Sequence, residues 1–273
     1  MSVRNNEERL EVEDTPAQAS LSSLREDKKQ SADPFAFIVP TQIVDLPSKG
    51  KFYPKGHPLH GKDSVEIRFM TAKEEDILTS KSLLKKGIAI DRMLESLVVD
   101  KSIDLDDMLV GDKNALVIAA RITGYGSDYE TKVSCPSCGA NVRHTFDLQN
   151  LKQVEVPEDI LKTVSENGTF KVTLPMSKIV VECRLLRGRD ERTLSKSLEE
   201  KRVLKQQENM VTEQFKLFIV SVNDSNDKQL INKFIEMCPA GDAKFLRRFY
   251  EKVVPAVDMT QHFSCIQCDA EMD

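Results

Sequence analysis

Two short stretches, Ser134-Cys-Pro-Ser-Cys-Gly139 and Ser264-Cys-Ile-Gln-Cys-Asp269, decide how this chain is organised. Each is a Cys-x-x-Cys pair, a turn whose backbone folds over two sulfurs and offers both to one metal ion. Their approaches match, because Glu130-Thr-Lys-Val-Ser134 and Met259-Thr-Gln-His-Phe-Ser264 both read as strands. Gly139 suits the tight turn after the first pair, whereas Asp269 stands at that place in the second. Compact ribbons separate their pairs by about 15–20 residues; here well over a hundred intervene. The spacing therefore predicts a split ribbon made of residues 129–147 and 257–273, with everything between them inserted. Closing so long a loop costs entropy that grows only logarithmically with length, and a bound metal offsets it. The expectation is one structural Zn2+ per chain, held by Cys135, Cys138, Cys265 and Cys268. Four thiolates fill a tetrahedron, leaving no open position at which water is activated.

Two other readings of the thiols exist. They are unconnected reduced cysteines, or one pair is a redox couple of the thioredoxin kind. The latter needs a helix starting at the pair to lower a thiol pKa, but Ala140-Asn-Val-Arg-His-Thr-Phe146 has a strand pattern. The remaining cysteines, Cys183 and Cys238, fall on apolar stripes and read as core.

Outward from the ribbon, the chain divides into an N-terminal part (34–128), the ribbon halves, and a hairpin followed by a helical bundle (148–256). The fold class expected is α+β, with small antiparallel hairpins and a helical C-terminal third. Residues 1–33 carry eight acidic and five basic side chains and almost no aliphatic periodicity. That composition predicts a disordered charged tail, unable to offset its ordering entropy by burial. Val65-Glu-Ile-Arg-Phe69 alternates as a half-buried strand does. Thr71-Ala-Lys-Glu74 is a capping box and predicts a helix from Ala72 to about Leu84. Further helices are predicted over Asp91–Val98 and from a cap at Asp112 to Gly124. Phe170–Leu174 and Ile179–Leu186 read as a second hairpin turning at Pro175-Met-Ser-Lys178. Beyond it, Val211, Phe215, Phe218 and Val222 recur at helical spacing, as do Leu230, Ile231, Phe234, Ile235 and Cys238, and then Phe245, Leu246, Phe249 and Val253.

The chain has 273 residues, 40% of them hydrophobic, and a formal charge of −5. No run approaches the ~20 apolar residues of a membrane span, and a mildly acidic balance argues against a dedicated nucleic-acid wrapper. The first residues lack a secretory apolar run, which points to the cytosol. There thiols stay reduced and serve as metal ligands. No phosphate-binding loop or nucleophile elbow occurs. His57 and His60 flank Pro58 in a turn-rich loop; a metal-dependent enzyme would have to use them, and a solvated loop is the plainer reading. His144 and His262 flank the two cysteine turns, either as neighbours of the metal ligands or as exposed strand residues. Arg184 to Lys205 holds eight basic residues against four acidic ones. This is the basis for an alternative reading, a zinc-ribbon nucleic-acid-binding regulator, although no aromatics interleave as stacking platforms.

Four stretches occur together and in order: Leu46-Pro-Ser-Lys-Gly-Lys-Phe-Tyr-Pro54, Met70-Thr-Ala-Lys-Glu-Glu-Asp-Ile-Leu-Thr-Ser80, Lys86-Gly-Ile-Ala-Ile-Asp91, and Ile122-Thr-Gly-Tyr-Gly126 through Cys138-Gly139. In these the chain resembles the baseplate hub protein family of T-even-type contractile-tailed bacteriophages, well over about 40–190 and more loosely in the helical third. The resemblance implies a non-enzymatic virion-assembly role alongside other baseplate hub proteins, in the host cytoplasm. It leaves open whether the protein stays in the virion tail baseplate or acts as an assembly factor. Neither a small-molecule substrate nor a membrane is expected, and the composition argues against nucleic acid as a partner. Partner contacts are expected at Phe35 and Phe37, between Pro34 and Pro40, and at Phe52 and Tyr53 of the Leu46–Pro54 loop, since aromatics beside turn residues suit an interface.

Overall fold

The computed structural model describes residues 39–154, 156–203 and 209–272. The acidic tail, Phe35 and Phe37 lie outside them. The first elements are an antiparallel pair, β1 (Thr41–Asp45) and β2 (Ser64–Arg68), in the register Thr41 to Arg68 and Asp45 to Ser64. The loop joining them is packed inward: Leu46, Phe52, Tyr53 and Leu59 are all buried. Gly50 makes this closure possible at φ +68°, because a Cβ there would sit 2.5 Å from the Lys62 amide.

Thr71 and Glu74 form the capping box, with the Thr71 amide donating to the Glu74 carboxylate at 2.9 Å. The helix is shorter than predicted. It runs as α1 (Ala72–Thr79), stops where Ser80 turns extended (ψ 110°), and resumes as α2 (Lys81–Lys85). Thr79-Ser-Lys-Ser82 is weak in helix formers, and serines favour such breaks. Then come α3 (Ala89–Leu97) and α4 (Val110–Tyr125). Asp112 does not cap α4 as expected; Leu109 occupies the cap position. The Asp112 carboxylate instead turns into the core. There it accepts from the Ser48 amide (2.9 Å), the Ser48 hydroxyl (2.6 Å) and the Tyr53 hydroxyl (2.7 Å). This group pins the 46–63 loop onto α4. Gly124 does not end the helix; it lies in the last turn against Met70, and Gly126 follows the end.

The first ribbon half is β3 (Asp128–Ser134) paired with β4 (Asn141–Asp147), close to the predicted hairpin. After β5 (Lys152–Val154) and the short α5 (Glu158–Leu161), β6 (Thr169–Thr173) and β7 (Val180–Arg184) form the second hairpin. The long polar α6 (Gly188–Val203) follows, then α7 (Met210–Phe218). The stripe through Val222 is not one helix. The chain turns extended at Ile219, and β8 (Ile219–Val222) joins the hairpin as a third strand, in the order β6-β7-β8. The β-branched run Ile219-Val-Ser-Val222 favours a strand, and its side chains are buried on both faces save Val220.

Helices α8 (Lys228–Met237) and α9 (Ala240–Val253) complete the main core, which gathers Phe170, Val181, Cys183, Phe215, Phe218, Ile235 and Leu246. Phe218 stacks on Tyr250 with ring centroids 4.3 Å apart. Cys183 is buried as predicted. Cys238 is not a core residue but ends α8, half-buried, beside Pro239. The last strands are β9 (Ala256–Asp258), β10 (Phe263–Ser264) and β11 (Glu271–Met272). The structure is therefore the expected α+β arrangement of helices and small antiparallel sheets.

Candidate metal centre

The return of the C-terminal segment to the first ribbon half has three local causes. Strand β9 pairs antiparallel with β5, Val154 opposite Ala256 and Lys152 opposite Asp258. Gly111 lets α4 approach this segment closely, since a Cβ there would lie 1.8 Å from the Pro255 carbonyl oxygen. Beyond β9, the Gln261 side chain behaves as a piece of strand. Its carbonyl accepts from the Asp147 amide at 3.1 Å and its NH2 donates to the Asp147 carbonyl at 2.8 Å. Nothing in the sequence pattern marks Gln261 or the β5–β9 pairing; a lone glutamine and two three-residue strands carry no periodicity.

The two cysteine turns are near copies. In the first, the Cys135 amide donates to the Ala140 carbonyl (2.9 Å) and the Gly139 amide to the Cys135 carbonyl (2.8 Å). In the second, Cys265 bonds Ala270 and Asp269 bonds Cys265, both at 2.9 Å. Gly139 adopts φ +73° and Asp269 φ +52°, so Asp269 takes the same left-handed turn. Aspartate is among the few residues that tolerate it.

The pairs meet. The Cys135 and Cys268 sulfurs are 3.7 Å apart, those of Cys138 and Cys265 3.9 Å, and all four lie within 4.8 Å of one another. Cys135 and Cys265 are buried, Cys138 and Cys268 exposed. Beneath them is a small apolar cluster of its own, Val142 and Phe263 with Val133, Ala140, Ala270 and Met272 around them. The His144 ring packs edge-on to Phe146 (4.5 Å) and Phe263 (5.1 Å), next to the thiols but not among them. The Cys138 amide aimed at Cys135 draws that thiol down to about 7. Cys268 goes the other way: the Ala270 amide pulls it down, but crowding by Cys138, burial and the other thiols push it up to about 12. Four thiols this close cannot all ionise without a cation among them. The set is suited to one metal ion in tetrahedral coordination, and it is the only such group of histidine, cysteine or carboxylate side chains among the described residues.

The other predicted sites fare differently. Phe52 and Tyr53 are not exposed contact residues, being only 2% and 1% exposed. Their loop folds over the core because Tyr53 donates to Asp112 and accepts from the Leu109 amide at 3.0 Å. His57 stacks on Tyr53, its Nδ1 accepting from the Leu59 amide, and His60 Nδ1 lies 2.6 Å from the Tyr53 carbonyl, so both serve the loop. Most of the basic run that begins at Arg184 is tied down. Arg184 grips Asp190 with two bonds of 2.7 Å, Arg189 and Arg192 pair with Asp107 and Asp106, and Lys201 pairs with Glu213. No helix among the described residues is long and apolar enough to cross a membrane.

Fold and site together define an α+β protein whose C-terminal end closes a split four-cysteine ribbon begun in its middle. A family model described as T4 bacteriophage base plate protein matches residues 39–273, and the chain belongs to that family. Comparison with curated proteins and with solved structures gives no match. Membership carries a structural role in the phage baseplate, hence in the virion tail, in association with other baseplate proteins.

Proposed function

We propose that the chain is a non-enzymatic subunit or assembly factor of the baseplate hub. It acts through protein contacts while the infected host's cytoplasm assembles the tail, and it holds one structural Zn2+ on Cys135, Cys138, Cys265 and Cys268. The observation that carries the metal reading is the convergence of the four sulfurs from segments 127 and 133 residues apart. A tetrahedral zinc with bonds of about 2.3 Å sets its sulfurs about 3.8 Å apart, and the two cross-pair distances are 3.7 and 3.9 Å. A disulfide would need sulfurs at about 2.0 Å. When bound, the zinc would cross-link the ribbon halves and, fully ligated, offer no coordination site to a substrate. Elemental analysis of the purified full chain tests this directly: one zinc per chain is expected, and its absence from protein prepared without chelator would reject the reading.

Partner contact is assigned to the Pro34–Pro40 segment with Phe35 and Phe37, in keeping with its apolar composition beside a charged tail. Replacing both phenylalanines with alanine should lower recovery of hub proteins in pull-downs without changing the circular dichroism; unchanged recovery would reject that assignment. The nucleic-acid alternative loses its main support, since the arginines that suggested it are engaged with Asp106, Asp107 and Asp190.

A further inference from the structure

A cleft of about 670 Å³ has Phe52, Leu109, Leu185 and Val220 as its apolar floor and none of the four clustered cysteines in its lining. Arg187 stands in its wall, and its backbone is held rigidly. Residues 109 and 187 form a bridge, the Val110 amide donates to Leu186 (3.1 Å), and the Arg187 amide donates to Asp190 (2.9 Å). Its guanidinium is much less well served. The side chain is 19% exposed, and its one partner among the described residues is Asp107, at 3.4 Å.

Three arginines (Arg184, Arg187, Arg189) and two carboxylates (Glu182, Asp190) line the cleft, an excess of one positive charge. Both Asp190 oxygens are taken by Arg184, and the Glu182 oxygens accept from the Thr169 and Ser221 hydroxyls at 2.7 and 3.0 Å. Burial first, and then the neighbouring Arg184 charge, push the Arg187 pKa down, with Tyr53 and Asp190 opposing them. Asn167, in an exposed turn, and Asn226, in the exposed stretch before α8, also line the cleft, and their side-chain amides make no hydrogen bond within the described residues.

A preorganised guanidinium with donors to spare, together with two free amides over an apolar floor, fits a carboxylate flanked by peptide backbone. The guanidinium forks onto the carboxylate oxygens, and the amides pair with backbone groups. We infer that this cleft binds an acidic peptide segment, its carboxylate on Arg187 and its main chain on Asn167 and Asn226. A nucleic acid fits less well. The cleft offers one unsatisfied cation where a strand needs a track of them, and Phe52, its only aromatic, is buried. That the peptide belongs to another baseplate protein rests on the assembly reading above. The preference for a carboxylate does not, so the two can fail separately.

The test is fluorescence anisotropy on the full chain at low salt with three labelled probes. These are a glutamate- and aspartate-rich peptide, the same peptide with glutamine and asparagine, and a single-stranded oligonucleotide of equal length. The acidic peptide should saturate, weaken with added salt, and lose about tenfold or more of its affinity in Arg187→Gln. Arg247→Gln, an exposed change on α9, should leave binding unaltered. Should Arg187→Gln fail to fold by circular dichroism, Asn226→Asp, at an exposed position before α8, provides the same readout by placing a carboxylate against the ligand's. The inference is overturned if the acidic peptide does not bind, if its amide counterpart binds as well, if neither cleft variant weakens binding, or if the oligonucleotide binds more tightly through Arg187.

Discussion

Replacing Cys265 with serine should melt the ribbon and leave the main core standing. The apolar residues under the thiols form a cluster separate from the large one around Phe170, Val181 and Leu116. Met259 to Met272, roughly fourteen residues, cost about 20 kcal/mol to order at ~1.5 kcal/mol each. Burying Phe263 and partly burying Ala270 and Met272 returns about 5 kcal/mol. About half a dozen hydrogen bonds, those of Cys265, Asp269 and Gln261 among them, return ~6 kcal/mol. The remainder, about 10 kcal/mol, is at the lower end of what a structural zinc supplies. With one ligand gone the segment is therefore no longer stable against its own entropy. Hydrogen exchange followed by mass spectrometry, with zinc measured on the same sample, is the assay. Exchange should rise through 131–144 and 260–272 while peptides holding Leu116, Phe170 and Val181 keep their protection. Simultaneous loss of protection in the core peptides would refute the independence of the two clusters. Retained protection at 263–272 after metal loss would refute the metal's role in holding the segment.

Tyr53→Phe removes a hydroxyl that donates to Asp112 and accepts from the Leu109 amide. Asp112 Oδ2 keeps the Ser48 hydroxyl as a donor, so the change orphans the buried Leu109 amide and should cost about 1–3 kcal/mol in urea denaturation; a loss under about 0.5 kcal/mol would contradict the buried geometry. Burial raises the Asp112 carboxyl above its ordinary range, outweighing the Ser48 and Tyr53 hydrogen bonds that lower it. A carboxyl raised on folding favours the native state below its unfolded value, near 3.9, and loses that contribution as pH rises through the folded value. Stability of the wild type relative to Asp112→Asn should therefore fall as pH increases above about 4; a parallel pair of stability curves would count against it. Asp269→Gly relieves a left-handed aspartate and should stabilise the metal-loaded protein by about 0.5 kcal/mol, read as a small rise in Tm; a fall would show that the aspartate side chain stabilises the turn.

Much of the architecture is visible one residue type at a time. The two Cys-x-x-Cys turns, the alternation of Val65 to Phe69, the Thr71–Glu74 box and the hairpin at Pro175 each depend on local chemistry. Each lies where its pattern placed it. The misreadings share one cause. Phe52 and Tyr53 looked exposed because prolines and glycine surround them, yet the buried Asp112 some sixty residues on draws the loop inward. Asp112 in turn looked like a cap because its acceptors suit one. Val222 matched a helical stripe until the strand it pairs with, β7, claimed it.

The sequence by itself determined that four thiols occur as two matched turns with strand-like approaches, since a knuckle is built from six consecutive residues and their own backbone bonds. It also determined the family, through motifs kept in order along the chain. Only the tertiary structure decided that the turns meet. That depends on β5 finding β9, on the missing side chain of Gly111 and on the Gln261 amide bridging to Asp147. Those contacts all join residues more than a hundred positions apart, and pairings at such range leave no periodic trace in either partner. The same holds for the cleft at Arg187. Its charge is plain in the sequence, but which arginine is left without a full partner depends on where Asp107 and Asp190 come to rest.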